Sequence, residues 1–215
     1  MLINKKYNHI FVLIYIPIFL LGFFLLEART EIHEYLIHSF IDDIIPFNEY
    51  FVVFYLAWFP YLLGFVFYFS YQGAKGEIQK REFYHLAALL MIGMSLSLII
   101  YALWPNTLNL RPDSYPEKNI FTYLCQALQT VDTPSNVCPS IHVYISVAVY
   151  ICIWKCEAFR KKWALKISML ILMILICLST LFIKQHSVID LGAALLMNGI
   201  IYVFYRKWQQ RKNNQ

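Results

Sequence analysis

The stretch WALKISMLILMILICLSTLFIKQHSVIDLGAALLMNGIIYVFYR at 163–206 contains two long apolar runs joined by a short polar island. A helix needs about 20 mainly apolar residues to cross roughly 30 Å of hydrocarbon. The runs at 163–183 and 187–206 both meet that requirement. Imidazole and carboxylate groups are costly to place at the edge of hydrocarbon. His186 and Asp190, four residues apart at the mouth of the second run, therefore indicate chemistry more than packing.

The whole chain has the composition of a membrane protein. Its 215 residues are 60% hydrophobic, 18% aromatic and only 14% charged, which is too apolar for a soluble domain of this length. Six stretches qualify as spans: about 10–26, 50–71, 84–103, 140–155, 163–183 and 187–206. We expect an all-α, six-transmembrane-helix bundle that forms a single domain over 1–215. The first run contains Pro17 and lacks a small-residue cleavage site before Glu27, so we interpret it as a retained span.

Positive charge predicts the orientation, because Lys and Arg accumulate in cytoplasmic loops. With both termini in the cytoplasm, the cytoplasmic cations are Lys5, Lys6, Lys75, Lys80, Arg81, Lys155, Arg160, Lys161, Lys162, Lys166, Arg206, Lys207, Arg211 and Lys212. The outer cations are Arg29, Arg111, Lys118 and Lys184. The net charge of +5 then reflects topology and attraction to membrane lipids, with no need for nucleic acid. We expect an integral protein of the plasma membrane.

Two outer segments have helical periodicity and predict interfacial amphipathic helices. In 29–45, Ile32, Leu36, Phe40 and Ile44 recur at helical spacing among acidic residues. Such a helix can guide a lipid toward a site or simply cover the bundle. A second amphipathic pattern begins at Ile120 and ends near Val131, before a turn-rich DTPSN segment.

The motif CPSIH at 138–142 opens the fourth span. Pro139 suits the first turn of a helix, and the free amides of a helix N-terminus bind anions, phosphate above all. Ser140 adds a hydroxyl donor, and His142 is placed to give or take a proton as a general acid or base. The simpler interpretation of Ser140 alone is a helix cap.

His186 and Asp190 lie on one face of a helix, so the carboxylate can hold one ring nitrogen and leave the other as a nucleophile. Arg111 and Lys184 are the cations that phosphoryl transfer requires. Taken singly, Arg111 is as well explained as an interfacial side chain that extends toward water. The charge-derived topology nevertheless brings all the candidate groups to the outer face, which favours a phosphate site.

A metal site of two histidines and one carboxylate would use the same residue types. We favour phosphate because Arg111, Lys184 and a helix N-terminus would repel a divalent cation, so we expect neither metal nor cofactor. For four other histidines we expect hydrogen bonds between helices: His9, His33, His38 and His85. Cys125 and Cys138 share an outer loop and can pair in an oxidising compartment, without a catalytic role; Cys152, Cys156 and Cys177 lie in spans as small apolar residues.

The motifs RP at 111–112, PSxH at 139–142 and HxxxD at 186–190, in that order across six spans, resemble the type 2 phosphatidic acid phosphatase (PAP2) superfamily. The resemblance implies an all-α bundle that works without metal through a phosphohistidine. It implies that His186 is the nucleophile, Asp190 its orienting partner and His142 the acid that protonates the leaving group. Arg111, Ser140 and the amide of Ile141 would hold phosphate.

Three positions depart from the family pattern. Trp104 stands where the first motif usually has Lys, Ile141 where the second has Gly, and Ser179-Thr180 where the third begins Ser-Arg. Lys184 is then the nearest replacement cation for phosphate. PSIH, together with DDIIPF at 42–47, is more similar to the branch that contains inositol phosphorylceramide synthase.

We therefore expect a membrane phosphatase that hydrolyses a lipid phosphate at the outer leaflet, of the phosphatidate, phosphatidylglycerol phosphate or polyprenyl diphosphate class. One alternative keeps the phosphohistidine and transfers the headgroup to a lipid or sugar hydroxyl. A second alternative is a non-enzymatic bundle that binds or translocates lipid.

Overall fold

A computed structural model describes residues 5–29, 35–115 and 118–213, and most of them are helical. The α-helices of this part of the chain are α1 (Tyr15–Glu27), α2 (Phe40–Ile44), α3 (Val52–Gly73), α4 (Glu77–Leu103), α5 (Ile120–Val131), α6 (Ile141–Lys155), α7 (Trp163–Phe182) and α8 (Val188–Asn213). The 3₁₀ helices are Lys5–Ile14, Glu49–Phe51 and Glu157–Phe159, and the strands are β1 (Tyr35–Leu36) and β2 (Asn106–Thr107). The all-α prediction is confirmed.

Within the described residues, five helical segments are long and apolar enough to cross a membrane: Asn8–Glu27, Glu49–Gly73, Glu77–Leu103, Trp163–Phe182 and Val188–Arg211. They coincide with five of the six predicted spans. The sixth, 140–155, forms α6, which has 15 residues and therefore extends only about 22 Å at the rise of an α-helix. The count of six spans is not confirmed, because α6 is shorter than the hydrocarbon is thick.

The short helix α6 lies against α3, α4, α7 and α8. Eight of its residues are buried: Val143, Tyr144, Ile145, Ser146, Ala148, Val149, Cys152 and Ile153. The Tyr144 hydroxyl donates to the Leu89 carbonyl of α4 at 2.7 Å, and the Asn198 amide of α8 donates to the Tyr144 carbonyl at 3.0 Å. Neighbouring helices thus enclose α6. Because these helices bury its apolar residues, α6 can be shorter than the bilayer is thick.

Close packing at this centre depends on Gly93 of α4. A Cβ atom built there would lie 1.9 Å from the Tyr144 ring, far inside any van der Waals contact. A glycine is therefore required where the tyrosine crosses α4.

The two predicted amphipathic helices have different outcomes. The pattern from Ile120 to Val131 forms α5, as expected. In 29–45 only Phe40–Ile44 is helical, Tyr35–Leu36 is a strand, and part of the segment (30–34) lies outside the described residues. The helix prediction is wrong there because β1 pairs in parallel with β2, and the amides of Tyr35 and Ile37 donate to the carbonyls of Pro105 and Thr107 at 2.9 Å.

Candidate active site

Two histidine rings converge at one end of the bundle. His142 lies in the first turn of α6, and His186 lies in the turn that joins α7 to α8. Their ring centroids are 5.9 Å apart and their planes are inclined by 55°. The sequence predicted that these two rings would face one pocket, and the structure brings them together.

His186 is held by a buried carboxylate. Its Nδ1 lies 3.3 Å from Oδ2 of Asp190, which also accepts the Ser187 amide at 2.8 Å. Asp190 is 0% exposed and His186 is 7% exposed. A carboxylate only accepts, so Nδ1 carries the proton and Nε2 is the nitrogen with a free lone pair.

The turn that presents His186 is built on Thr180. The amides of Gln185 and His186 both donate to the Thr180 carbonyl at 3.0 Å. Lys184 has φ 58°, a left-handed conformation that costs energy for a residue with a Cβ. The backbone therefore reverses sharply between α7 and α8.

Asp42 of α2 caps the N-terminus of α8. Its Oδ1 accepts the Val188 amide at 2.9 Å, and its Oδ2 accepts the Ser187 hydroxyl at 2.6 Å and the Ser39 amide at 2.8 Å. The carboxylate is 2% exposed. An anion at a helix N-terminus is favourable, so Asp42 stabilises the helix that carries Asp190.

The predicted phosphate cation Lys184 is bound to the main chain of the α2 segment. Its ammonium group donates to the Asp42 carbonyl at 2.6 Å and to the Ile45 carbonyl. Burial lowers the pKa of Lys184, and the neighbouring Asp42 opposes that shift. Its phosphate-binding role stays a prediction; the contacts that the structure contains link α2 to the His186 turn.

His142 is surrounded by two aromatic side chains of α3 that the sequence did not single out. The rings of Tyr55 and Trp58 each lie 4.5 Å, centroid to centroid, from the imidazole. The Tyr55 hydroxyl lies 3.3 Å from His142 Nδ1 and donates to Oδ2 of Asp132. Both histidines are therefore held at Nδ1, and neither Nε2 has a hydrogen-bond partner among residues whose side chains are described.

Arg111 links the outer loop to the His186 turn. Its guanidinium donates to the Gln129 carbonyl at 2.9 Å, to the Gln185 side-chain oxygen at 2.7 Å, and to the Asp132 carbonyl. Burial lowers the pKa of Arg111, while Asp132 raises it. Its Nε is buried and has no partner among the described groups, so Arg111 keeps a donor for a further acceptor.

Ser140 joins the two helices of the site. Its amide donates to the Asp190 carbonyl at 3.2 Å, and its hydroxyl oxygen accepts the Val143 amide at 3.4 Å as the N-cap of α6. Ile141 is the first residue of α6, so its amide has no intrahelical acceptor. The capping role is present, and the hydroxyl can still donate to an anion.

Asn106 fixes the chain just before Pro139. Its side-chain oxygen accepts the amides of Val137 and Cys138 at 2.9 and 2.7 Å, and its amide nitrogen donates to the Cys138 carbonyl at 3.2 Å. The Tyr101 hydroxyl donates to the Pro139 carbonyl at 2.6 Å, and the Cys138–Pro139 peptide is cis. Asn106 is fully buried. The sequence alone did not predict that this polar side chain would be buried.

The Cys125–Cys138 disulfide that the sequence allows is not formed: both thiols are free and buried. Cys125 packs with Val52, Tyr55 and Ile183, whereas Cys138 packs in a separate cluster with Ile37, Leu108 and Val137. Burial and the nearby Asp190 carboxylate raise the pKa of the Cys138 thiol to about 12. Within the described residues Cys152, Cys156 and Cys177 are also free and buried. Cys152 and Cys177 lie in α6 and α7 as expected, whereas Cys156 follows the end of α6 and its thiol donates to the Glu82 carboxylate at 3.5 Å.

The remaining histidines differ in their contacts. His9 bonds the Ser70 carbonyl of α3 at 2.7 Å, which confirms the prediction of a hydrogen bond between helices. His38 instead bonds Asp43 at 2.9 Å on the surface, His85 packs on Tyr205 with its Nε2 unpaired, and His33 lies outside the described residues.

No group of three or more His, Cys, Asp or Glu side chains that could hold a metal ion occurs in the described part of the chain. The metal-free chemistry stays a prediction, which chelation of metal in an activity assay would test.

The site belongs to a helical membrane protein with two imidazoles and a carboxylate at one end of its bundle. The model of the PAP2 superfamily matches residues 83–214, and the chain belongs to that superfamily. Searches of curated proteins and of solved structures gave no match. Members of the superfamily are generally phosphoesterases or phosphotransferases. The matched region contains Arg111, Ser140, His142, His186 and Asp190.

Proposed function

We propose that this protein is a membrane phosphatase that hydrolyses a lipid phosphate through a phosphohistidine on His186. The observation that carries the proposal is the pairing of His142 and His186, with ring centroids 5.9 Å apart, each held at Nδ1 by another side chain. Two imidazoles with their Nε2 atoms free suit a nucleophile and a proton-transfer group acting on one phosphorus.

In the first step, His186 Nε2 attacks phosphorus and the bond from phosphorus to the leaving oxygen breaks. His142, protonated at Nε2, gives that proton to the leaving oxygen, so a phosphate monoester releases a neutral alcohol and a diphosphate releases a monophosphate. The Nδ1 proton of His186 stays hydrogen-bonded to Asp190, and the carboxylate stabilises the positive charge of the phosphorylated ring.

In the second step, water attacks phosphorus and gives its proton to His142 Nε2. The nitrogen–phosphorus bond breaks, inorganic phosphate leaves, and both histidines return to their starting states. The same group acts as acid and then as base, as microscopic reversibility requires.

The proposed phosphate ligands are the Ile141 amide, the Ser140 hydroxyl and Arg111. Amides at a helix N-terminus bind anions together with the helix dipole, and the buried Nε of Arg111 is an unused donor. Lys184 is the weakest of the proposed ligands because its ammonium group already binds two carbonyls.

Phosphate release from purified protein tests the proposal. Phosphatidate, phosphatidylglycerol phosphate and polyprenyl diphosphate are supplied separately, with and without a chelator. His186→Ala should reduce phosphate release to background, because no other group replaces the nucleophile. His38→Ala, which removes a surface histidine, is the matched control and should retain activity within about twofold. Equal phosphate release by wild type and His186→Ala would rule out the mechanism, and no release by either protein would favour a bundle that only binds or translocates lipid.

We also propose that the site faces outward, with both termini in the cytoplasm of a plasma-membrane protein. The support is the charge asymmetry of the loops. Ser114→Cys places a thiol on an exposed residue of the outer loop, and a membrane-impermeant maleimide should label it in intact cells. Labelling that requires permeabilised cells would reverse the orientation.

Headgroup transfer is the second candidate, and the scarcity of free cations favours it. The Arg111 guanidinium already donates to three protein acceptors, and Lys184 to two. A phosphodiester carries one negative charge, whereas a phosphate monoester carries about 1.5 to 2, so a diester needs fewer cations. Labelled lipid incubated with and without candidate alcohols separates the two candidates: free phosphate indicates hydrolysis, and a new labelled diester indicates transfer. Similarity to the branch that contains inositol phosphorylceramide synthase remains a hypothesis, and this assay tests it.

A further inference from the structure

We propose that Tyr55 is a positioning residue for His142: its hydroxyl group holds Nδ1 of the imidazole, and the carboxylate of Asp132 holds the hydroxyl group. The inference rests on the proposed function, because it concerns the group to which proton transfer is assigned. Tyr55 lies outside the residues 83–214 that the family model matches.

The geometry joins three side chains from three parts of the chain. The Tyr55 hydroxyl lies 3.3 Å from His142 Nδ1 and also donates to Asp132 Oδ2. The rings of Tyr55 and His142 lie 4.5 Å apart with planes inclined by 37°, and Trp58 lies at the same distance. Tyr55 is 1% exposed, so bulk water does not compete for its hydroxyl group.

The direction of these hydrogen bonds determines the tautomer of His142. The Asp132 carboxylate only accepts, so the phenol proton points toward Asp132. The phenol oxygen then offers lone pairs to His142, and Nδ1 must carry a proton in order to donate. Neutral imidazole has a single N–H, so Nε2 is unprotonated and can accept a proton from water.

The same arrangement serves both steps of the proposed reaction. When His142 is protonated, the second proton is on Nε2, where it can pass to the leaving oxygen. Nδ1–H remains bonded to Tyr55 in either state, and no proton moves along the tyrosine. Tyr55 therefore acts on orientation and charge, and the chemistry stays at Nε2.

Asp132 is itself fixed by the outer loop. Its amide donates to the Leu128 carbonyl at 2.8 Å at the end of α5, and its carbonyl accepts from Arg111. Arg111 also binds Gln185, the neighbour of His186. The charged and titratable groups around His142 are thus Asp132, Arg111 and His186, and Arg111 connects the Asp132 segment to the turn that carries His186.

Tyr55→Phe tests the proposal, because it keeps the ring against His142 and removes only the oxygen. We expect kcat for a lipid phosphate to fall about tenfold, a fraction of the 10² to 10⁴ that a general acid supplies, with little change in KM. The matched control is Tyr61→Phe on the same helix. Its hydroxyl donates to the Ser146 carbonyl of α6 at 3.1 Å, so the control loses a comparable bond between the same two helices without touching His142, and kcat should stay near the wild-type value.

A double-mutant cycle separates positioning from general stabilisation. In a His142→Ala background, Tyr55→Phe should reduce kcat no further, because the group it positions is gone. The same fold loss in both backgrounds, or an equal loss in Tyr61→Phe, would overturn the proposal.

A measurement without substrate keeps this inference distinct from the proposed function. ¹⁵N chemical shifts of histidine-labelled protein, with His142 assigned by its disappearance in His142→Ala, report which ring nitrogen is protonated. We expect Nδ1–H in the wild type and a shift toward Nε2–H in Tyr55→Phe. An unchanged tautomer would refute the positioning role even if the enzyme is active. Absence of phosphatase activity with the expected tautomer change would instead refute only the proposed function.

Discussion

The two ends of the helical bundle use polar residues in opposite ways. At the end that contains His142 and His186, buried polar side chains bind one another. Asp190 binds His186, and Asp42 binds the Ser187 hydroxyl. At the other end, cations lie over aromatic rings: Lys75 is 4.4 Å from the Tyr71 ring, Lys155 is 4.4 Å from the Tyr202 ring, and Lys166 is 4.8 Å from the Trp154 ring.

The difference lies in what each arrangement can do. Cation–π contacts tolerate variation in geometry and suit the headgroup region of a membrane, where aromatic and basic residues accumulate. A buried hydrogen-bonded network fixes each ring and each donor in one orientation. The end with the cation–π contacts is therefore suited to placement in the bilayer, and the end that contains His142 and His186 is suited to chemistry that needs a defined geometry.

Of the variants that compare the two ends, Asp190→Asn at the site end should have the largest effect. The amide side chain is nearly the same size but carries no charge. Its oxygen can still accept from the Ser187 amide and from His186 Nδ1, so the variant removes the negative charge that stabilises the phosphorylated ring. We expect kcat to fall by about 10² to 10⁴, the contribution typical of acid–base and orienting groups. Phosphate release at saturating lipid measures it.

Asp190→Glu is the companion variant, since it retains the charge and moves the acceptor. It should recover part of the lost activity. Near-native turnover of Asp190→Asn would show that His186 does not depend on the carboxylate, and the contrast between the two ends would lose its chemical basis.

A smaller effect, on the free energy of unfolding, should distinguish Asp42 from the adjacent Asp43. Asp42→Ala leaves the Ser39 amide, the Ser187 hydroxyl and the Val188 amide without their acceptor. Hydrogen bonds to a charged group contribute about 1.5 to 3 kcal/mol each, so we expect the free energy of unfolding to fall by about 3 kcal/mol after relaxation. Thermal unfolding in a single detergent measures the difference, and kcat should fall as well because α8 loses its cap.

Asp43→Ala is the matched control for that experiment. Its side chain is 62% exposed and contacts His38, and exposed ion pairs contribute about 0 to 1 kcal/mol. If the two aspartate variants unfold at the same temperature, the cap that Asp42 provides is not important for stability.

Prediction from sequence succeeded for features that a local property of the sequence identifies. Length and apolarity identified the five long spans, and ionisable groups in an apolar context identified His142, His186 and Asp190 as neighbours. The helix predicted over 29–45 was wrong because part of this segment pairs with β2. That partner is about 70 residues away in the sequence, and a local pattern cannot reveal it.

The supporting residues could not be found in this way. Tyr55 and Trp58 lie in an apolar helix where aromatic residues are common, so their contact with His142 has no sequence signature. Asp42 and Asp43 are adjacent and chemically identical, and only the packing of α2 against the His186 turn buries one of them. Lys184 was assigned to phosphate because it is an outer cation and the nearest replacement for the arginine of the family motif. Its ammonium group binds two carbonyls of the α2 segment, and no sequence pattern indicates that contact.

The smallest effect should come from the other end of the bundle. Lys155→Ala removes the ammonium group that lies over Tyr202, and a cation–π contact at an exposed site contributes about 0.5 to 1 kcal/mol. Because Lys155 is at the far end of α6 from His142, kcat in detergent should stay within about twofold, as for other surface substitutions. Lys155→Arg, which keeps the charge over the ring, should match the wild type in thermal unfolding. A tenfold loss of kcat in Lys155→Ala with normal stability would mean that the two ends are coupled through α6, and the division of roles between them would have to be abandoned.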